Sequence, residues 1–364
     1  MYLKDLRIIS FKNYEESELH FSAQINCFTG ANGSGKTNLL DAIHYLCLTK
    51  SAFNAIDAQN IRHQAPLFAL HGTFFKNEKE YQVSCGLKAG KKKSIRLNKK
   101  EYERVSEHIG QFPCVLIAPN DTDLIREGSE TRRKYFDSII SQINKPYLEQ
   151  LICYNQALKQ RNILLKQFAE QRYFEQDLLE PYDHMLIDLS QKIAEQRRAF
   201  ITTFQPLFEK HYQYISAAKE QVALNYSSQV KVSGFEEHFR NNLQKDMHLQ
   251  RTTSGIHKDD FDFSIEEYPL KKFGSQGQQK SYVIALKLAQ FEVMHQATGR
   301  KPILLMDDIF DKLDDLRIAK LLQMITEHIF GQVFITDARE ERSRQLMKQV
   351  HAETIFFDIE QLSA

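Results

Sequence analysis

The sequence has almost no net charge, because its 48 lysine and arginine residues are balanced by 47 acidic residues. A formal charge of +1 provides no global attraction to polyanions, so any surface that binds nucleic acid must be a local patch. Long apolar runs are also missing: residues 1–5 do not resemble a signal peptide, and no later stretch reaches the roughly 18 apolar residues of a membrane span. We therefore expect a soluble, cytoplasmic protein without a membrane partner.

Cysteine is scarce, and no two cysteines form a Cys-x-x-Cys pair. This spacing argues against zinc sites and against a disulfide scaffold, so we expect reduced and mostly buried thiols. No internal repeat of fixed period is visible. With 42% hydrophobic residues among 364, the chain can bury a substantial core and should form about two domains. The cysteines are Cys27, Cys47, Cys85, Cys114 and Cys153.

Hydrophobic periodicity divides the chain into three segments. The first alternates in the manner of strands and contains one helical pattern after Gly35. The middle is largely helical, because leucines recur every seventh residue from Leu151 and a second helical pattern follows Pro181, a typical first-turn residue. From residue 253 strands and helices alternate again, which predicts an α/β domain of residues 1–120 and 251–364, interrupted by a helical lobe of residues 121–250. The predicted strands span 6–11, 25–29, 67–75, 81–87, 94–97, 261–265, 303–306 and 332–335, and the late helix spans 281–295.

A glycine-rich segment after the second predicted strand matches the pattern G-x-x-x-x-G-K-[ST]. It stands between an apolar strand and a helical pattern, which is the order that a phosphate-binding loop requires. Its glycines let backbone N–H groups face phosphates, Lys36 can reach the β- and γ-phosphate oxygens, and Thr37 offers a hydroxyl to Mg²⁺. The segment therefore predicts binding of ATP and Mg²⁺, with Lys36 as a catalytic residue. Its members are Gly30, Ala31, Asn32, Gly33, Ser34, Gly35, Lys36 and Thr37.

The apolar run 303–306 ends in two carboxylates, as expected for a buried parallel strand that delivers acids at its carboxyl edge. Asp307 would help to hold Mg²⁺, and Asp308 is placed to accept a proton from the water that attacks the γ-phosphate. Apolar runs that end in a surface acid are common, so the phosphate loop is what gives this strand its meaning. The long separation of the two motifs suggests a large insertion between two half-sites.

A second glycine-rich segment, residues 273–280, precedes the late helix. Ser275 at a helix N-terminus, beside Gly277, is a second potential anion site, although a simple helix cap is the alternative. The acidic strand follows it, and Asp311–Asp314 come next. This order resembles the ABC-type ATPases. The resemblance implies that Ser275 and Gly277 reach, in trans, the γ-phosphate bound by an opposite subunit, and that Asp314 lies at the dimer seam.

The resemblance narrows to the RecF family of DNA replication and repair proteins and covers nearly the whole chain. Ile256, Lys258 and Lys280 replace a proline and two arginines of that family's motifs, which affects local rigidity and bidentate contacts. The insertion is much shorter than the coiled coils of SMC and Rad50 proteins, and no Cys-x-x-Cys hook is present. The matching segments are residues 6–14, 121–137, 154–165, 254–260 and 275–280.

Similarity to this family implies a fold and a function that composition alone does not show. The implied fold is a P-loop ABC-type ATPase head, similar to those of SMC and Rad50 proteins, built from both chain ends around the helical lobe. The implied activity is weak, DNA-stimulated ATP hydrolysis that resets an ATP-dependent homodimer. The implied partners are single-stranded, gapped and duplex DNA, together with RecO and RecR, which help to load RecA; SOS induction would depend on the protein.

Two basic surfaces could meet DNA. The first contains seven cations and no acid between residues 88 and 100, and it would give a salt slope of roughly −6 at about 0.9 per phosphate contact. The second lies at the start of the lobe and on its first long helix. For both, a solvated face without function is the alternative. The first comprises Lys88, Lys91, Lys92, Lys93, Arg96, Lys99 and Lys100, and the second comprises Arg132, Arg133, Lys134, Lys159, Arg161 and Lys166.

Two rival functions stay open on the sequence alone. The motor subunit of an ABC-type membrane transporter shares the ATP motifs, and co-purification with a membrane protein would favour it. A non-hydrolytic DNA clamp would use ATP only to stabilise its dimer, and phosphate release would separate it from an ATPase. Thr336, after the last predicted strand, is a candidate for the switch residue of ABC-type ATPases.

Overall fold

A computed structural model describes residues 1–216, 220–230, 233–310 and 313–362. Strands and helices are numbered along the chain as follows. The strands are β1 (Tyr2–Phe11), β2 (Tyr14–His20), β3 (Ile25–Thr29), β4 (Leu67–Lys76), β5 (Lys79–Lys88), β6 (Ser94–Leu97), β7 (Lys100–Glu101), β8 (Cys114–Ile117), β9 (Val222–Ser227), β10 (Asp260–Ile265), β11 (Tyr268–Pro269), β12 (Ile303–Met306), β13 (Val333–Asp337) and β14 (Thr354–Asp358). The α-helices are α1 (Lys36–Leu48), α2 (Asp123–Arg126), α3 (Ser129–Ile143), α4 (Lys145–Gln171), α5 (Gln176–Ser216), α6 (Phe235–Asn241), α7 (Leu243–Leu249), α8 (Leu270–Phe273), α9 (Gln276–Thr298), α10 (Asp315–Thr326), α11 (Glu340–Met347) and α12 (Ile359–Leu362). Short 3-10 helices span Asp57–Asn60, Val105–Glu107, Pro119–Thr122 and Ile256–Lys258.

The chain divides into two compact units, and both chain ends contribute to the first. The second unit is formed by the middle of the chain. The first unit comprises Met1–Asp121, Tyr214–Ala217 and Lys280–Ala364, and the second comprises Thr122–Gln213 and Ala218–Gln279.

A five-stranded parallel sheet in the order β14-β3-β13-β12-β8 forms the centre of the first unit. Every residue of β3, β12 and β13 is buried, as expected for continuous apolar strands that are covered on both faces. Because β3, β13 and β12 are parallel neighbours, the segments that follow them emerge at one edge of the sheet. The phosphate loop and the acidic pair are thus brought together by strand order.

A six-stranded antiparallel sheet in the order β2-β1-β4-β5-β6-β7 completes the first unit. Burial alternates along β4, so one face of this sheet is packed and the other is more exposed. Helix α1 contacts strands of both sheets. Its Leu39, Leu40 and Ile43 share one hydrophobic core with Phe28 of the parallel sheet and Phe68 of the antiparallel sheet. The helix that begins at the phosphate loop is therefore anchored in the core.

The second unit combines long helices with a three-stranded antiparallel sheet in the order β11-β10-β9. Helix α3 packs on β10, where the rings of Phe136 and Phe261 stack with centroids 4.2 Å apart. Two arginines are fully buried in this unit: Arg161 forms ion pairs with Asp183 and Asp246, and Arg197 pairs with Asp137 and Asp259. Polar networks as well as apolar packing hold this unit together.

The structure differs from the sequence-based expectation in three places. Strand β9 lies in the segment that was expected to be helical. The second unit extends to Gln279, beyond the expected boundary at residue 250, because β10 pairs with β9 and α8 packs on β10. Pro181 lies inside α5 rather than in its first turn. Among the described residues, no helix combines the length and the apolar character needed to cross a membrane.

Candidate nucleotide-binding site

The predicted phosphate loop curls between the end of β3 and the start of α1. Gly30, Gly33 and Gly35 have φ values of 146°, 87° and 109°, which side chains with a Cβ rarely adopt. A Cβ at Gly35 would also lie 2.3 Å from Nδ2 of Asn13. The motif therefore needs glycine for backbone reasons, and the loop exposes residues 31–33 beside a helix N-terminus, where anions are favoured.

Lys36 points its ammonium into the curl of this loop. Its Nζ donates hydrogen bonds to the carbonyl oxygens of Gly30 (2.6 Å) and Ala31 (2.8 Å), and the residue is 7% exposed. Burial lowers the pKa of Lys36, while the carboxylates of Asp308 and Asp307 act in the opposite direction. The side chain is thus positioned where the phosphates of a nucleotide would be held, as its motif predicts.

Asp307 lies directly after β12 and contacts the phosphate loop. The hydroxyl of Thr37 donates to its carboxylate at 2.9 Å, and the hydroxyl of Thr336 donates to the same Oδ1 at 2.8 Å. Burial raises the pKa of Asp307, although both hydroxyls oppose this shift. A hydroxyl and a carboxylate in contact are hard oxygen ligands of the type that Mg²⁺ prefers, so Thr37 and Asp307 fit the role expected of them.

Asp308 and Thr336 complete the acidic edge. The backbone of Asp308 has a φ of 45°, in the left-handed region that a residue with a Cβ seldom occupies. Its N–H donates to the Thr336 hydroxyl at 2.8 Å, and that hydroxyl in turn donates to Asp307. Thr336, on the neighbouring strand β13, therefore holds both acids in place. The sequence suggested it only as a candidate switch residue and did not indicate these two hydrogen bonds. Such unusual backbone geometry is often found at functional sites.

Three contacts of the phosphate loop were not anticipated from the sequence. Nδ2 of Asn13 donates to the carbonyl of Ser34 (3.2 Å), and the Tyr14 hydroxyl donates to the carbonyl of Gly35 (3.1 Å). Near the other chain end, Oε1 of Glu360 accepts the N–H of Ala31 at 2.9 Å. Contacts between segments far apart in the chain bring these residues to the loop, so no local pattern could have identified them.

The second glycine-rich segment lies in the second unit, at the start of α9. The Ser275 hydroxyl accepts the N–H of Gln278 at 3.2 Å, and the Gln278 side chain accepts the N–H of Ser275 at 2.7 Å. This reciprocal pair is a capping box, so the alternative of a helix cap is realised in the single chain. Gly277 occupies the first turn of the helix beside it. This cap does not test the expectation that Ser275 contacts a γ-phosphate bound by another subunit.

Asp314 begins helix α10 as its N-cap residue. Its carboxylate accepts the N–H of Arg317 at 3.0 Å and also pairs with the Arg317 guanidinium. The side chain stays about half exposed, as a position at a seam between subunits would require. Asp311 and Lys312, the preceding members of this motif, lie outside the described residues.

In the structure, some members of both basic surfaces expected from the sequence are buried or paired with acids and so contribute less positive charge to a DNA-facing surface. In the first, Lys93 is half-buried and donates to Asp57 (2.8 Å), and Arg96 lies 3.5 Å from Glu101. In the second, the expectation for Arg161 is wrong: its guanidinium is fully buried between two aspartates and is not available to DNA. Arg132 is also occupied, because its guanidinium forms two hydrogen bonds with Asp260.

Comparison with known proteins relates this arrangement to one family. The family model of the RecF/RecN/SMC N-terminal domain matches residues 2–356. A DNA replication and repair protein RecF from Cytophaga hutchinsonii is 49% identical over 343 residues, which cover 94% of this chain and 91% of the relative. The protein of the same name from Flavobacterium johnsoniae is 46% identical, with 99% and 100% covered.

Two solved structures are similar to this chain over nearly its whole length. The recombination mediator protein RecF of the RecFOR pathway, bound to ATP, matches with a TM-score of 0.87 and 28% identity, covering 98% of this chain and 97% of the other. An SMC head domain from Pyrococcus furiosus, bound to a domain of ScpA, matches with a TM-score of 0.56 and 17% identity over 98% of this chain and 94% of the other. The second likeness shows the fold alone.

Proposed function

The chain belongs to the RecF/RecN/SMC N-terminal domain family, and we propose that it acts as an ATP-dependent DNA-binding protein of recombinational repair and DNA replication. The ABC-type ATPase head expected from the sequence is confirmed by the family model and by the RecF and SMC head structures. Membership of this family does not favour the alternative function, the motor subunit of a membrane transporter. We place the protein in the cytoplasm with the other components of DNA repair.

One observation supports ATP and Mg²⁺ as the ligands: the phosphate loop, Thr37, Asp307 and Thr336 form one connected hydrogen-bond network at the carboxyl edge of the parallel sheet. Lys36 would contact the β- and γ-phosphates, and the Thr37 and Asp307 oxygens would hold Mg²⁺, which neutralises charge on the phosphates. The RecF structure with bound ATP supports the nucleotide. ATP is therefore the cofactor that this geometry suits best.

Hydrolysis would require Asp308 and a second copy of the chain. Asp308 follows the Mg²⁺-binding acid and would take the proton of the attacking water. Ser275 and Gly277 of the opposite subunit would contact the γ-phosphate, and Asp314 would lie at the seam. A dimer with two ATP molecules between its heads would then bind DNA, and slow hydrolysis would release it. RecO and RecR would act with it to load RecA, and SOS induction would depend on this step.

The test is DNA binding to gapped, duplex and single-stranded probes, each measured with ATP, with ADP and without nucleotide. We expect tight binding only with ATP, and tightest binding to a probe that contains a gap. Equal binding in all three nucleotide states would contradict the coupling. Phosphate release that stays at background with and without DNA would favour the non-hydrolytic clamp instead.

A further inference from the structure

A group of cations gathers around the segment of the second unit that connects α7 to β10. Lys245 lies on α7, Arg251 and Lys258 lie on the connecting segment, and all three residues are exposed. Arg133 from α3 joins them, because its Nη1 donates to the carbonyl of Asp259, the neighbour of Lys258. We name Arg133, Lys245, Arg251 and Lys258 the lobe cation cluster.

Hydrogen bonds across the loop hold this cluster together. Nε2 of His257 donates to the carbonyl of Thr252 at 3.0 Å, which fastens the neighbour of Lys258 to the neighbour of Arg251. The N–H of Arg251 donates to the carbonyl of Asp246 at 3.1 Å, beside Lys245. The backbone that carries Arg251 and Lys258 is therefore ordered before any ligand binds, so binding has to order only the side chains.

The acids next to the cluster are all committed to other partners. Asp246 pairs with Arg161 at 2.6 Å, Asp259 pairs with Arg197 at 3.0 Å, and Asp260 binds Arg132. Within the part of the chain that the structure describes, the side chains of Lys245, Arg251 and Lys258 form no ion pair. These carboxylates still act on Lys258 and Arg133 through space, but none of them pairs with Lys245, Arg251 or Lys258, whose charged ends stay available to a ligand.

The electrostatic environment agrees with this geometry. Partial burial lowers the pKa of Lys258, and the positive charges of Arg251 and Arg133 lower it further. Burial lowers the pKa of His257 to about 4, so the ring that fastens the loop is neutral at physiological pH. An anion placed on the cluster would relieve the mutual repulsion of these cations.

We propose that the lobe cation cluster is a contact surface for the phosphate backbone of DNA. Three exposed cations that form no ion pair among the described residues, with Arg133 beside them, suit a repeating row of phosphates and carry no information about base sequence. This inference rests on the proposed function, and it names the surface that performs DNA binding. It shares Arg133 with the second basic surface expected from the sequence, from which burial removes Arg161 and pairing with Asp260 removes Arg132.

The test replaces three exposed cations of the cluster together, as Lys245→Gln, Arg251→Gln and Lys258→Gln. Binding of a fluorescent gapped duplex is measured by anisotropy with ATP at several salt concentrations. If each side chain meets one phosphate, the slope of log affinity against log salt should shrink by about 2.7. Between 50 and 200 mM salt the wild type should then lose roughly 40-fold more affinity than the variant.

A matched control removes three exposed cations elsewhere in the second unit, as Lys159→Gln, Lys166→Gln and Arg172→Gln. Lys159 and Lys166 belong to the second basic surface expected from the sequence, so the control also tests that surface. The control should keep the wild-type slope, and ATP-dependent dimer mass should be the same in all three proteins. A cluster variant with the wild-type slope, or a control that loses as much, would overturn the inference and leave the proposed function intact. A wild-type protein that binds no DNA at all would overturn both.

Discussion

The carboxylate of Asp307 is buried in the folded chain, where its ionised form is disfavoured. Its carboxylate is 5% exposed, and two hydroxyls are its hydrogen-bond donors. Burial raises the pKa of Asp307 and lowers the pKa of Lys36, so both groups are held where their charge is disfavoured. Mg²⁺ and phosphate would supply the missing compensation. We therefore expect function and stability to oppose each other at this residue.

Asp307→Asn should stabilise the protein in the absence of nucleotide and metal. A carboxyl with a raised pKa contributes stability that is present below its unfolded pKa and is lost as the pH rises through its folded pKa. The neutral amide avoids that loss and keeps an oxygen for Thr37 and Thr336. The Tm of the variant should therefore exceed that of the wild type at neutral pH, and the gain should shrink in mildly acidic buffer.

Thermal unfolding followed by circular dichroism at several pH values measures this difference. Glu15→Gln removes an exposed carboxylate of the same unit and should change stability by less than about 0.5 kcal/mol. A Tm of Asp307→Asn below the wild-type value at neutral pH would mean that its hydrogen bonds outweigh its desolvation.

Asp308→Asn should separate dimer formation from hydrolysis. The Asp308 N–H that binds Thr336 is kept in the variant, so the loop after β12 should keep its place. Loss of a general base typically lowers the rate about 10²- to 10⁴-fold. Light scattering should show a normal ATP-dependent dimer while single-turnover phosphate release falls. Wild-type release from the variant would remove Asp308 from the role of base.

At the scale of elements, apolar runs bounded by glycine or polar residues were predictable. The ranges expected for β3, β6 and β12 agree with the structure residue for residue. Strand β9 was missed because Val222–Ser227 includes polar Asn225 and Ser227 and obtains its pairing from β10, far along the chain. Asn13 and Tyr14 reach the phosphate loop in the same way, through tertiary contacts that no local pattern contains.

The helices of the second unit depend on a buried ion network that the sequence also concealed. The sequence placed Arg161 on the solvent-exposed face of α4, yet its guanidinium is buried and forms ion pairs with Asp183 on α5 and Asp246 on α7. Burial raises the pKa of Asp183 even with this arginine beside it. Removing the cation would leave two buried carboxylates without compensation, which is usually far costlier than never having had the pair.

Arg161→Leu should therefore destabilise the protein by roughly 3–5 kcal/mol in urea unfolding. Lys159→Gln, an exposed change on the same helix, should cost less than about 0.5 kcal/mol. Adding Asp183→Asn and Asp246→Asn to Arg161→Leu should recover part of the lost stability, because these three positions then carry no buried charge. An Arg161→Leu protein as stable as the wild type would show that the network contributes little.

At the scale of the whole molecule, the residues proposed for the two half-sites lie in different units of one chain. Lys36, Asp307 and Asp308 belong to the first unit, and Ser275 belongs to the second, where it caps α9. Motif spacing predicted Lys36, Asp307 and Asp308 as members of one site but not the supporting contacts of Asn13 and Tyr14, and the RecF-like order of motifs pointed to Ser275. The pairing of the two across subunits remains a proposal, because it concerns a second copy of the chain.

The most direct test of this pairing is mixing of two inactive variants, Lys36→Met and Ser275→Arg, with ATP turnover as the measured quantity. Lys36→Met alone should not dimerise with ATP, and neither variant alone should hydrolyse it. In a mixed dimer both defects fall in one site and the other site is intact, so an equal mixture should recover turnover that neither variant shows alone, up to about half of the wild-type value if every dimer is mixed. As a folding control, circular dichroism of each variant should give the wild-type spectrum. A mixture as inactive as its components would contradict a site that two subunits share.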